Sequence, residues 1–518
     1  SNLYILSAIA GIMLYISFPP FLLWFLYPAS LALLLYLSRD QKLKRVFAIW
    51  YVASLALNVL ALYWIIYLMR GKLTIVLIPG MVLAILFMSL YHALPALVFY
   101  LSRYFFKTKS QFYFLTFPLF FIFFEVLKSL GQISFPWLQA GYIYGSSLSI
   151  IQFLSVGGLY FYSFLAVLSG TALYLFIINK KIARGPGTVF LFVILLHIML
   201  FIGGRASLNR RNNNGSVSIG IVQGNMDLNR DAWDPAFVDS VFNIYRDSTE
   251  KLVKSGVDLV IWPETAMPCY IMRRWKYRKA IIQLADRNNT PIIFGSLDAE
   301  RNENSSHGYD FYNSAFYAEP NTSSLKKYDK IKLVPFSERL PFDNVFPLIS
   351  RVDLGESDFT SGVNKTLFYL KEIPFSIFIC YEVVYQEFIR EFLKNGSCFF
   401  IQITNDAWFK RSGMAAQHLN ITRYRAVENR TPVARCANTG FSCFIDAKGR
   451  VIKKTEIFTR RAISAHLNLD NKTSFFQNHG DWAGWSCFWG AVFIFLGSLG
   501  WFLKQKLRPD RGVDEPVI

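Results

Sequence analysis

The chain has 518 residues, 53 % of them apolar and 17 % charged, with a formal net charge of +19. A soluble protein is nearer a quarter charged, so this balance, with a positive mean hydropathy, excludes an ordinary soluble enzyme. The positive charge does not make nucleic acid a partner: many of the basic residues lie in short loops between apolar segments, where they act as topology determinants.

A helix that crosses a bilayer needs about 20 mostly apolar residues. Runs at 3–18, 21–38, 46–68, 74–101, 112–130, 150–178, 187–204 and 483–503 read as eight spans. The first run lacks a small-residue cleavage site and is followed at once by another, which marks a retained helix rather than a signal peptide. Pro19-Pro20 joins the short first two into a hairpin. Lys and Arg concentrate after the even-numbered spans, in RDQKLKR (39–45), SRYFFKTKS (102–110), NKKIARG (179–185) and KQKLRPDR (504–511). The positive-inside rule therefore puts both termini in the cytoplasm and residues 205–482 outside, in the periplasm if the membrane is a Gram-negative inner membrane. Asn58, His92, Glu125, Lys128 and His197 lie within spans, and Glu125 and Lys128, three residues apart, are expected to pair on one helix face.

From residue 215 the pattern changes. Strands are predicted at Val217–Gln223, Leu259–Pro263, Pro291–Gly295, Ser314–Ala318, Phe375–Cys380, Phe399–Thr404, Val433–Ala437 and Ser442–Ile445. Helices are predicted at 235–254, 275–288, 384–394 and 415–429. Several of the strands are continuously apolar, as strands covered on both faces are, so this part is α/β with helices layered over sheet. The expected organisation is a membrane domain over 1–204, an outer catalytic domain over 205–482, a last span over 483–503 and a cytoplasmic tail over 504–518.

Cys269, Cys380, Cys398, Cys436, Cys443 and Cys487 include no CxxC pair, so no zinc or redox motif is present. Cys436 and Cys443 are the pair that an oxidising compartment could join; otherwise a buried cysteine is a small hydrophobe. Three strand ends carry reactive groups. VDLVIWPE ends in Glu264, KKYDKIKLVPFSE holds Lys330 and Glu338, and IPFSIFICYE ends in Cys380, Tyr381 and Glu382. A carboxylate can take a thiol's proton, and a lysine can favour the thiolate and stabilise an oxyanion. Glu, Lys and Cys are thus a sufficient set for acyl transfer through a thioester. Each has an inert alternative on spacing alone: a surface or capping glutamate, a solvated lysine, a buried thiol.

The motifs WPET (262–265), YDKIKLVPFSE (328–338) and CYE (380–382) resemble the Glu–Lys–Cys signature of the nitrilase superfamily. TNDAWF (404–409), QHL (417–419), RAVENR (425–430), QGN (223–225) and GDW (480–482), with eight flanking spans, resemble its membrane-embedded branch, the apolipoprotein N-acyltransferases. The similarity runs over nearly the whole chain and is specific in the outer domain. It implies a polytopic helical membrane domain and an α-β-β-α sandwich. It makes Glu264 the general base, Cys380 the nucleophile and Lys330, ahead of Lys332, the oxyanion stabiliser. Glu338 supports the lysine, Tyr381 and Glu382 match residues needed for function, and Trp233 matches a tryptophan over the pocket. The chain departs from the family at Ser337 and Lys410, where glycine is usual, and at Ala437, often threonine.

The implied reaction has two halves. Cys380 takes an acyl chain from a membrane phospholipid, and the α-amine of the diacylglyceryl-cysteine of an apolipoprotein then attacks the thioester, by ping-pong chemistry. No cofactor or metal is called for, and the protein is expected to act as a monomer in the bacterial inner membrane. Residues 339–365, with Leu340, Phe342, Val345, Phe346, Leu348 and Ile349, read either as a lid dipping into lipid or as a loop packed on its own domain. Two rivals remain open, the first an enzyme with the same trio and the second from another class. A membrane-tethered nitrilase or amidase would release ammonia or free acid. A transporter with an accessory domain would show broken, polar helices in two symmetric halves, and no such symmetry is visible.

Overall fold

The computed structural model describes residues 2–68, 74–179, 185–210, 215–226, 234–303, 305, 308–342, 359–470 and 473–507. It divides into two compact units, one of Ser1–Leu130, Phe135–Asn209 and His479–Ile518, the other of Gly131–Ser134 and Arg210–Asn478.

The first unit is helical: α1 (Asn2–Ser17), α2 (Leu26–Leu37), α3 (Leu43–Leu62), α4 (Thr74–Phe105), α5 (Phe117–Lys128), the single turn α6 (Leu148–Ile151), α7 (Leu154–Asn179) and α8 (Thr188–Asn209). The last helix of the chain, Trp482–Lys506, returns to this unit. Six described helices are long and apolar enough to cross a membrane, while α1 and α2 are apolar but shorter, at 16 and 12 residues. The eight expected spans are thus six full-length helices and a short pair. Burial is inverted relative to a soluble bundle: α8 exposes Phe192, Leu195, Met199 and Ile202. The protein is a multi-pass membrane protein.

The polar residues within the spans join helices. Asn58 Nδ2 lies 3.3 Å from His92 Nδ1 and 3.4 Å from Ser89 Oγ, linking α3 to α4. His197 Nε2 is 3.0 Å from the Tyr144 hydroxyl, and its ring stacks on Trp24. The expected Glu125–Lys128 pair is replaced by another contact. Glu125 Oε1 accepts from the backbone N–H of Ala140 at 2.6 Å, where a short 3-10 turn begins and leaves that donor without a partner in the turn itself.

Among the described residues the second unit carries thirteen strands. They are β1 (Ser216–Gln223), β2 (Leu259–Ile261), β3 (Met267–Tyr270), β4 (Ile292–Arg301), β5 (Tyr309–Ala318), β6 (Leu325–Asp329), β7 (Leu367–Leu370), β8 (Ile373–Ile379), β9 (Phe399–Thr404), β10 (Val433–Ala437), β11 (Cys443–Ile445), β12 (Val451–Lys454) and β13 (Arg461–Asn468). The helices are α9 (Pro235–Val253), α10 (Trp275–Asn288), α11 (Gln386–Lys394), α12 (Met414–Asn429) and α13 (Phe475–His479), and the returning helix is α14. One sheet runs β13-β1-β2-β4-β5-β6, with β3 also on β4; the other runs β12-β11-β10-β9-β8-β7. In the first, β1, β2 and β4 are parallel; in the second, β8, β9 and β10 are.

The sheets face each other. Tyr317 of β5 packs edge-on against Phe368 and Phe375 of the opposite sheet, at 5.7 and 5.5 Å, and its hydroxyl donates to the Tyr369 carbonyl. α9 and α10 cover the first sheet through Val241, Tyr245, Ile281 and Leu284 against Trp262, Ile292 and Phe294. α12 covers the second, its Thr422 donating to Gln402 of β9. This is the expected α-β-β-α sandwich. All six cysteines, Cys436 and Cys443 among them, are free thiols.

Candidate active site

The parallel strands of both sheets end on the same group of side chains. β2 ends at Ile261 and Trp262-Pro263 leads to Glu264, which is buried. Gly295 of β4 lets the chain pass closely: a Cβ there would lie 2.6 Å from the Cα of Glu264. Asn313 Nδ2 donates to Glu264 Oε1 at 2.8 Å and the Asn405 N–H, just past β9, to Oε2 at 2.7 Å. Burial raises the Glu264 carboxyl above its ordinary range, and the nearby Glu338 adds to this, while Lys330 and the two donors pull it down.

Lys330 follows β6 and is buried. Its Nζ donates to Glu338 Oε1 at 2.8 Å and lies 3.7 Å from Glu264 Oε1. Burial works against its charge, but the carboxylates of Glu338 and Glu264 outweigh burial, so the ammonium persists throughout the working pH range. Glu338 also accepts from the Val334 N–H at 2.9 Å, which closes the turn that carries it, and from Asn313 at 3.3 Å. Lys332, the second choice for the oxyanion lysine, is exposed, its Nζ over the rings of Tyr385 and Phe388.

Cys380 is the first residue after β8 and has φ +51°, in the left-handed region that non-glycine residues seldom occupy. The backbone around it is tied on both sides. Glu382 accepts from the N–H groups of Ile379, Ile331 and Lys332, at 2.7, 2.7 and 3.0 Å, and from the Tyr328 hydroxyl at 2.8 Å. One carboxylate thus fastens the segment after Lys330 to the turn of Cys380. Burial pushes Glu382 up to about 7 despite those donors. The Cys380 carbonyl meets Gln402 Nε2 at 3.3 Å and His418 Nε2 at 3.2 Å. His418 Nδ1 lies 3.1 Å from Asp406 Oδ1, and Arg435 donates to Asp406 Oδ2 at 2.8 Å. Desolvation raises the Cys380 thiol well above its usual range and Glu264 adds to this, against the opposing field of Lys330. Cys380 is therefore held as the thiol, which needs a base before it can attack anything.

Tyr381 is buried beside it, its hydroxyl donating to the Ser134 carbonyl at 3.2 Å. Trp233 lies outside the described residues, as do 343–358 of the expected lid, including Val345, Phe346, Leu348 and Ile349. Asn313, Gln402, His418 and Arg435 received no role from sequence. His418 stands within QHL and Asn405 and Asp406 within TNDAWF, but their meaning arises only where the strands converge.

A thiol at a strand end, a buried carboxylate and an ion-paired lysine on an α-β-β-α sandwich define a nitrilase-type domain, here borne by a polytopic membrane unit. A family model for carbon-nitrogen hydrolases matches residues 218–475, and one for the apolipoprotein N-acyltransferase N-terminal domain matches 10–172. The apolipoprotein N-acyltransferase of Geobacter metallireducens is 31 % identical over 501 residues, 95 % of this chain and 94 % of the relative. Those of Chlorobaculum tepidum and Haemophilus influenzae are each 27 % identical, over 93 % and 98 % of this chain and 93 % and 96 % of their own. Among solved structures, an amidase from Nesterenkonia sp. is similar over 52 % of this chain and 95 % of its own, at 13 % identity and TM-score 0.38. This chain belongs to the apolipoprotein N-acyltransferase family.

Proposed function

We propose that this enzyme moves an acyl chain from a membrane phospholipid, through a thioester on Cys380, to the α-amine of the diacylglyceryl-cysteine of an apolipoprotein. The observation that carries the mechanism is Lys330, buried and held between Glu264 and Glu338 beside the turn of Cys380. Glu264 takes the thiol proton as sulfur attacks the ester carbonyl. The Lys330 ammonium stabilises the oxyanion of the tetrahedral intermediate, which collapses to the thioester as Glu264 hands the proton to the leaving lysophospholipid oxygen and becomes a carboxylate again. In the second half Glu264 takes a proton from the attacking amine, and the thiol is restored when the N-acyl product leaves. Glu338 holds Lys330 in place, Glu382 and Tyr381 fix the nucleophile turn, and Trp233 borders the pocket.

The distribution of Lys and Arg supports an inner-membrane protein with both termini cytoplasmic and the catalytic domain periplasmic. Both substrates are anchored lipids and neither half-reaction needs a second subunit, so the enzyme works as a monomer. The test is full-length protein with acyl-labelled phospholipid. A labelled adduct is expected in the unaltered protein, to be discharged by a diacylglyceryl-cysteine peptide, and none in Cys380→Ser. An adduct that persists in that variant overturns the nucleophile. Release of free fatty acid in place of N-acyl peptide turns the reading toward a hydrolase.

A further inference from the structure

Between Glu264 and Asp286 the chain carries no acidic residue, while Arg273, Arg274, Lys276, Arg278 and Lys279 crowd the start of α10. Among them Trp275 is 62 % and Met272 39 % exposed. The Arg278 guanidinium stands 5.1 Å from the Trp275 ring, and Arg273 lies 4.2 Å from that of Tyr309. Lys276 is paired with Asp239. Among the described residues no carboxylate comes within ion-pair distance of the other four cations. The first turn of a helix favours negative charge, so these cations do nothing for the stability of α10.

The place of this cluster is fixed by topology. β2 is parallel to β4 and leads to Glu264. β3 is also parallel to β4, pairing further along it at Ser296 and Leu297, and ends at Tyr270, directly before the cluster. The basic and aromatic run therefore emerges at the edge of the sheet that carries Glu264, and α10 starts there.

We propose that this run is a docking surface for anionic phospholipid headgroups, bringing the active-site edge of the domain onto the lipid that supplies the acyl chain. The inference rests on the acyltransferase reading, in which that edge has to receive a lipid. Cations flanking an exposed tryptophan and methionine are what an interface-lying segment needs: the charges meet phosphates, and the apolar groups enter the headgroup region. An acidic polypeptide would use the cations and leave Trp275 and Met272 in water.

The test uses the full chain in proteoliposomes of phosphatidylcholine alone, or with phosphatidylglycerol added. Quenching by bromolipid is compared between the unaltered protein and Trp275→Phe, and labelled acyl-enzyme formation between the unaltered protein and Arg273→Gln/Arg274→Gln/Arg278→Gln. The expected result is a Trp275 contribution to quenching that grows with phosphatidylglycerol. The acceleration by phosphatidylglycerol should shrink by up to about fivefold per cation removed and fade with salt. The proposal is overturned if Trp275→Phe leaves quenching unchanged, or if the triple variant responds to phosphatidylglycerol as the unaltered protein does. It is also overturned if only aminolysis by an acidic acceptor peptide slows, since the surface then reads polypeptide. If no vesicle yields acyl-enzyme, the acyltransferase reading fails, while bromolipid quenching still decides the docking.

Discussion

The two sheets of the catalytic unit supply unlike things to one site. The first contributes charge: Glu264, Lys330 and Glu338, with Asn313 between the two carboxylates. The second contributes the Cys380 thiol, on a strained residue whose carbonyl is held by Gln402 and His418 in front of the Asp406–Arg435 pair. The difference shows a division of labour. The carboxylates and the ammonium lie on one sheet, where they can share a proton and its charge. The thiol lies on the other, its backbone aimed by a network with no exposed member.

This comparison can be broken at several points. Glu264→Gln keeps the shape and removes the base, so single-turnover acylation should fall about a thousandfold or more. In the unaltered protein the same step should fade as pH drops through the raised Glu264 range, above the ordinary carboxylate value, because the protonated carboxyl accepts nothing. Lys330→Met leaves Glu264 and Glu338 without their shared cation. It should cost about 3–5 kcal/mol of stability, seen as a lower Tm, as well as activity. A Tm unchanged by Lys330→Met would mean that the first sheet does not depend on its charges.

Glu382 sharpens the contrast, because it belongs to the positioning apparatus yet titrates. Its folded value is raised from 4.5 to about 7. The stability it contributes is therefore fully present below about 4.5 and lost as pH rises through about 7, by about 3 kcal/mol in all. Measured against Glu382→Gln, the unaltered protein should lose that much across this window; a pH-independent difference would refute the assignment. His418→Ala removes one of two contacts on the Cys380 carbonyl. It should slow acylation about tenfold with little change in KM for phospholipid, and His418→Gln should recover part of the rate. A shift in KM alone would place His418 in substrate binding. The smallest effect is at Lys410, whose φ of +48° with ψ −156° is glycine territory; Lys410→Gly should add about 1 kcal/mol of stability.

Much of this was legible in the sequence, and three of the strands that were not share a cause. The central strands were readable because burial on both faces makes them continuously apolar, as in FFIQIT of β9. β6, β12 and β13 read LKKYD, VIKK and RAISAHLN. They are the outermost strands of their sheets, where charge is tolerated and discourages pairing with other chains, so they look like loops. The site followed the same rule. Glu264, Lys330 and Cys380 were marked by motifs contiguous in sequence. Asn313, Gln402 and Arg435 lie on three strands of two sheets, and only the folded chain shows that they reach Glu264, the Cys380 carbonyl and Asp406 respectively. The Glu125–Lys128 contact was misread because spacing of three residues says nothing of the backbone donor that Ala140 brings from outside the helix.

The thiol proton of Cys380 has a further consequence. It is the thiolate that attacks peroxides and disulfides, and over-oxidation of a cysteine is irreversible. Here burial and the neighbouring carboxylates keep the sulfur protonated until a substrate and a charged Glu264 meet it together. The thiol thereby carries its own protection: what keeps it idle at rest also makes it durable.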